Sequence, residues 1–156
     1  MPARTRNADP DMAVGTTVQL VLPSEVRLID LVHAASEKMA EFVGFGEDEA
    51  LNVGLAIREA VINAMVHGNR NDPRRAVRVT LACTDGALTA TVLDQGAGFD
   101  RRQAPDPRTG DNRLRTSGRG LLLMEAFVDE VRFSHPPGGG TEVVMVKRLP
   151  SAGRQG

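Results

Sequence analysis

Three short clusters in this 156-residue chain hold residue types that do chemistry together. The first is Glu59, Asn63 and His67, spaced i, i+4, i+8. On a helix that spacing lines a carboxylate, an amide and an imidazole along one face. The second is Asp94-Gln95-Gly96-Ala97-Gly98-Phe99. A carboxylate there can accept hydrogen bonds from an exocyclic amine, and the glycines let the backbone approach a flat ligand. The third is Ser117-Gly118-Arg119-Gly120-Leu121 at the start of a helical pattern. Backbone N–H groups at such a start cradle phosphate, helped by the helix dipole. The Gly-Lys-Ser/Thr of a Walker A loop is absent from the sequence. Each cluster alone has an everyday alternative: an exposed polar stripe, a strand-ending turn, or a helix capped by Ser117 or Thr116.

The elements that must position these clusters follow from periodicity. Thr16 to Leu22 alternates as a half-buried strand, with Val18, Leu20 and Leu22 on one face, and stops at Pro23. Ser24 is placed to cap the helix that follows. Leu28, Leu31, Val32, Ala35 and Met39 recur at helical spacing until Gly44-Phe45-Gly46. Glu47, Asp48 and Glu49 open a second helix, where acidic side chains suit the N-terminal dipole. It runs to about Val66, punctuated by Gly68. Apolar residues cover most of its circumference, which marks a buried helix. A carboxylate, an amide and an imidazole on such a helix need partners, whether protein, solvent or ligand. Val77–Ala82 and Ala87–Leu93 read as strands joined by Asp85-Gly86, a strong hairpin signal. Residues 95–117 form a long aperiodic stretch containing Arg101, Arg102, Arg108, Arg113 and Arg115. A loop of that length is functional or disordered. Leu121–Phe127 reads as a helix, Val131–Ser134 as a short strand and Thr141–Leu149 as the last strand. The order β-α-α-β-β-α-β-β, with two strands joined by a tight turn, argues for a mixed or mostly antiparallel sheet with helices on one face: an α/β (α+β) two-layer sandwich.

Composition narrows the function. Lys plus Arg number 19 and Asp plus Glu 20, a formal charge of −1, so the basic excess of a nucleic-acid binder is missing. Five Phe, with no Trp or Tyr, leave few rings for stacking single-stranded bases. One cysteine, Cys83, forms neither an internal disulfide nor a cysteine metal cluster. No apolar run reaches membrane-span or signal length. The expectation is a soluble, cytoplasmic domain over residues 16–149 with loose tails at 1–15 and 150–156, without direct contact to nucleic acid or membrane.

Together the clusters match one family in order and spacing. Glu59-x-x-x-Asn63-Ala64-x-x-His67-Gly68 resembles the N box of the GHKL ATPases, the group of gyrase, MutL and histidine kinases. Asp94-x-Gly96-x-Gly98 resembles their first glycine box, Gly118-x-Gly120-Leu121 the second, and Gly140-Thr141 the closing Gly-Thr motif. The resemblance runs from about Thr16 to Leu149. It is strongest to the stand-alone bacterial anti-sigma factor serine/threonine kinases, which share this length and an ending like Gly120-Leu-Leu-Leu-Met-Glu-Ala-Phe-Val-Asp-Glu-Val131.

The resemblance implies a Bergerat fold that binds ATP and Mg²⁺. Asn63 would coordinate the metal, and His67 lies in the same box. Asp94 would bind the adenine amine, with Thr141 supporting the base. Gly96 and Gly98 would admit base and sugar. Gly118, Arg119, Gly120 and Leu121 would form the phosphate end. Glu59 would be the general base toward an attacking serine hydroxyl. The implied partners are a sigma factor and an anti-anti-sigma (STAS-type) protein, and the implied assembly is a homodimer. The sequence departs from the family pattern at one place. Thr116 stands where an arginine is expected before Ser117-Gly118, with Arg115 and Arg119 the nearest alternatives. Two other readings are an ATP-binding module without kinase activity and the ATP lobe of a split histidine kinase. For the latter, His33 lacks the acidic residue that usually follows a phospho-acceptor histidine.

Overall fold

The computed structural model describes residues 15–97 and 118–150. The chain forms β1 (Thr16–Pro23), α1 (Ile29–Val43), α2 (Glu47–Asn63), β2 (Ala76–Thr84), β3 (Ala87–Leu93), α3 (Gly118–Phe127), β4 (Glu130–Ser134) and β5 (Glu142–Arg148). A 3₁₀ turn, Val26–Leu28, leads into α1, and a π turn, Ala64–Gly68, follows α2. The five strands make one sheet in the order β1-β2-β3-β5-β4, and every neighbouring pair is antiparallel. The expected α+β sandwich with a mostly antiparallel sheet is what forms. Both expected tails fall largely outside the described residues.

Alternation explains which face is covered. In β3, Leu88, Ala90 and Val92 are buried while Thr89 and Thr91 are half-buried on the opposite face. Val79 and Leu81 of β2 pair with Val92 and Ala90, and Val77 is buried on the same strand face. These apolar rows meet Val32 and Met39 of α1, Val53, Ile57 and Val61 of α2, and Met124 of α3 in one aliphatic core. Helix α2 packs against both α1 and α3, which is why it is apolar nearly all round. Gly54 lets α1 come close: a Cβ there would lie 3.1 Å from the His33 ring.

Turns behave as their residues dictate. Gly44, at φ 123°, ends α1, its N–H bonding to the carbonyls of Ala40 and Glu41. Asp85 and Gly86 take φ 51° and 71°, as a two-residue hairpin loop requires. Two expectations change. Ser24 is not a helix cap: its hydroxyl donates to Arg75 O at 2.8 Å, because the chain enters α1 through the 3₁₀ turn that begins at Val26. Helix α2 is α-helical only to Asn63, and the rest of the expected helix is the π turn, where Asn69 N donates to Ala64 O at 2.8 Å.

Truncating Leu81, fully buried at the middle of β2, is expected to cost about 2–5 kcal/mol. Thr91→Ala, on the half-buried opposite face of β3, is expected to cost less than about 1 kcal/mol. Urea denaturation of both variants checks the difference.

Candidate functional site

Asp94 is the first residue after β3, and it extends the sheet. Its N–H donates to Thr141 O at 3.1 Å, just before β5. Its side chain turns back on the same segment: Oδ1 accepts from Gly96 N at 2.9 Å and from Thr141 N at 3.0 Å. Asp94 is only 5% exposed. Burial pushes its pKa up. The N–H groups of Gly96 and Thr141 oppose that rise, as do the charges of His135 and Arg75.

Three glycines make this burial sterically possible. A Cβ on Gly68 would run into the Asp94 carboxylate, and one on Gly96 into the carbonyl of Gly68. One on Gly140 would strike the Asp94 carbonyl, and Gly140 also holds φ 84°. Backbone therefore packs directly against backbone and carboxylate at this point. Any larger residue would push the end of α2, the end of β3 and the start of β5 apart.

The π turn sets the register of the N-terminal wall. Inserting a wider turn after Asn63 rotates the chain relative to a continuous α-helix. His67 and Gly68 then line a small pocket, about 80 Å³, with Arg70, Asp94, Gly96, Ala97 and Thr141. Arg70 and Asn71 follow at φ 53° and 57°, a left-handed pair that is unusual for arginine. The Thr141 hydroxyl lies 3.5 Å from His135 Nδ1.

Of the residues singled out from sequence, the structure brings His67, Asp94, Gly96 and Thr141 to this one pocket. Glu59 and Asn63 sit on the last turns of α2 and are not among its lining residues. Asn63 is 8% exposed, and its Nδ2 is buried with no hydrogen-bond partner. An unpartnered buried amide is costly unless something else serves it. Gly118, Arg119, Gly120 and Leu121 form the first turn of α3, which packs on α2. Gly120 is buried and Arg119 exposed. Gly98, Arg115, Thr116 and Ser117 lie outside the described residues.

The sequence reading did not single out Asn69 and Gln95. Asn69 is completely buried. Its side chain donates to Ser24 Oγ at 2.9 Å and to Ala76 O at 3.0 Å, and accepts from Gln95 N at 2.7 Å. Gln95 Oε1 accepts from Ala76 N at 2.7 Å. Asn-Arg-Asn after His67-Gly68 reads as plain turn chemistry, so only the three-dimensional contacts reveal the role.

An ionised, buried Asp94 weakens the fold. Its folded pKa is raised above the ordinary value of 3.8, so its stabilising contribution is present below that value and is lost as pH rises through the folded pKa. Asp94→Asn keeps an oxygen for Gly96 N and Thr141 N. It is expected to raise the Tm at pH 7–8, with the advantage over wild type shrinking toward pH 4. Thermal melts across that range check the sign.

Comparison with known proteins places the domain in a family. The sequence profile of the histidine kinase-like ATPase domain matches residues 22–147. The chain is similar to the anti-sigma F factor of Geobacillus kaustophilus, 36% identical over 104 residues, which covers 65% of this chain and 71% of the relative. It is also similar to the anti-sigma F factor of Clostridium beijerinckii, 35% identical over 104 residues, covering 65% of this chain and 73% of the relative. Among solved structures, the crystal structure of the RsbU and RsbW domains of a Mycobacterium tuberculosis protein aligns with TM-score 0.62 and 25% identity. That alignment covers 86% of this chain and 32% of the solved one, so this chain spans about a third of it. With the profile running across nearly every described element, the chain belongs to the histidine kinase-like ATPase domain family.

Proposed function

We propose that this domain binds Mg·ATP and acts as an anti-sigma factor that phosphorylates a serine on an anti-anti-sigma (STAS-type) antagonist. The observation that carries the nucleotide reading is the buried Asp94 carboxylate, held by Gly96 and Thr141 beside a pocket lined by His67 and Gly68. A carboxylate fixed in this way reads a planar ring through its exocyclic amine, and close-packed glycine backbone leaves room for the ring. The family supplies ATP as the ligand. The relatives named anti-sigma F factors support a sigma factor as the partner. An anti-anti-sigma antagonist and a cytoplasmic homodimer complete the reading.

The residues present suit a magnesium ion at Asn63. Its carboxamide oxygen is the donor type a hard cation takes, and it sits at the last turn of α2. No cluster of three or more His, Cys, Asp or Glu able to hold a metal occurs among the described residues. Phosphate oxygens and water would then complete the shell, as is usual for magnesium on a nucleotide. Bound there, the ion would offset the charge of the phosphates. Glu59 sits one helical turn before Asn63 on α2. As general base it would accept the serine proton while the hydroxyl oxygen bonds to the terminal phosphorus and the bond to ADP breaks. The phosphates would meet the first turn of α3, at Gly118 and Arg119.

A second reading rests on Thr116, which replaces the arginine of the family pattern. In that reading the domain binds ATP and its partners without transferring phosphate.

Calorimetric titration with Mg·ATP, followed by labelled ATP and a candidate antagonist, decides between them. Binding with serine labelling supports the kinase. Binding without labelling supports the module and makes Thr116→Arg the first variant to test. Asn63→Ala is expected to weaken Mg·ATP binding by about 100-fold with an unchanged circular dichroism spectrum. Unaltered affinity would remove Asn63 as the metal ligand. Glu59→Ala is expected to keep binding and lower transfer by about 10²–10⁴-fold. Retained transfer would remove Glu59 as the base.

A further inference from the structure

The hydrogen bonds around Asn69 close a ring. Asn69 Oδ1 accepts from Gln95 N, Gln95 Oε1 accepts from Ala76 N, and Asn69 Nδ2 donates to Ala76 O, at 2.7, 2.7 and 3.0 Å. The second Asn69 amide hydrogen goes to Ser24 Oγ at 2.9 Å, and its backbone N–H closes the π turn on Ala64 O. Both amide hydrogens and the amide oxygen are therefore used, in a residue with no exposed surface.

Asn69 is not a pocket residue, but it is tied to the pocket on both sides. It directly follows Gly68, and its side chain grips Gln95, which lies between Asp94 and Gly96. Gly68 in turn lies hard against the Asp94 carboxylate, and Gly96 against the Gly68 carbonyl. A shift of either strand of this clamp moves the carboxylate. The third attachment, Ala76, begins β2 and anchors the clamp to the sheet.

We infer that Asn69 is a positioning residue for nucleotide recognition: it holds the turn at Gly68 and the strand end at Asp94 in one rigid unit, so that the carboxylate stays where an exocyclic amine meets it. The inference rests on reading Asp94 as the base-recognition group. Its effect falls on discrimination rather than on binding in general, because phosphate contacts and any metal lie elsewhere, on α2 and α3. A hydrogen bond loses strength steeply with misalignment, so a small displacement of Asp94 is enough.

The test is titration of the full chain with Mg·ATP and with Mg·ITP, which carries oxygen in place of the 6-amino group. Wild type, Asn69→Ala and Leu81→Ala are compared. Wild type is expected to prefer ATP by about tenfold or more. Asn69→Ala is expected to lose most of that preference through weaker ATP binding, with ITP affinity little changed. Leu81→Ala is expected to lose Tm and keep the preference. A less stable Asn69→Ala protein that still prefers ATP as wild type does overturns the inference and leaves a purely structural role. Equal binding of ATP and ITP by wild type overturns the reading of Asp94 and the inference with it, which separates the two failures. If Asn69→Ala does not fold, Asn69→Ser carries the test, since the shorter side chain keeps a polar group in the buried position and gives up the span from Gln95 N to Ala76 O. A reduced preference there supports the inference and an unchanged one overturns it.

Discussion

Burying a carboxylate at the end of a central strand forces much of what surrounds it. Asp94 loses its water, and the loss raises its pKa. Two backbone donors, from Gly96 and Thr141, replace part of that solvation through the same oxygen. Backbone packs this closely around the carboxylate only where it carries no Cβ. Gly68, Gly96 and Gly140 meet that need, each at a point where a Cβ would collide. The sheet order follows the same logic: β5 must run beside β3 for Thr141 to reach Asp94. On the proposed nucleotide reading, the stability given up at this position is the trade of a functional site, where a polar group is kept ready for a ligand.

Helix α2 supplies the other half. Its apolar circumference seats it between α1, α3 and the sheet, so its end is fixed by packing on three sides. A continuous α-helix would carry His67 onward along the face of Glu59 and Asn63. The π turn diverts it, bringing His67 and Gly68 to the pocket and leaving Glu59 and Asn63 on the helix proper. The wider turn is held by the Asn69 N–H and by a chain reversal through Arg70 and Asn71 at positive φ. Strain of this kind persists only where surroundings over-determine it, and the buried amide of Asn69 is that surrounding.

On the proposed reading, this division gives the site two ends. Asp94, Thr141 and their glycines form a rigid end built on strand termini. Asn63, Glu59 and the first turn of α3 form an end built on helices. Recognition of a planar base suits the first, where geometry is fixed by the sheet ladder. On the proposed reading, handling of phosphates falls to the second, at the start of a helix.

Much of this was legible in the sequence because local rules decide it. Alternation marked β3 and β1, the Asp85-Gly86 pair marked the hairpin, and the acidic run at Glu47 marked the start of α2. The spacing of Glu59, Asn63, Asp94 and the paired glycines pointed to a family, and the family profile spans those residues. Local rules could not give the rest. Ser24 has the chemistry of a cap, yet its hydroxyl bonds to Arg75, 51 residues away. Asn69 and Gln95 look like turn residues, yet they join three elements in one ring. A π turn has no simple periodic signature, since it depends on which carbonyl a single N–H finds once the helix is packed. Residue type and spacing determined which groups were available. Only the tertiary structure decided which of them meet, because hydrogen bonds between distant segments exist only after the core has brought those segments together.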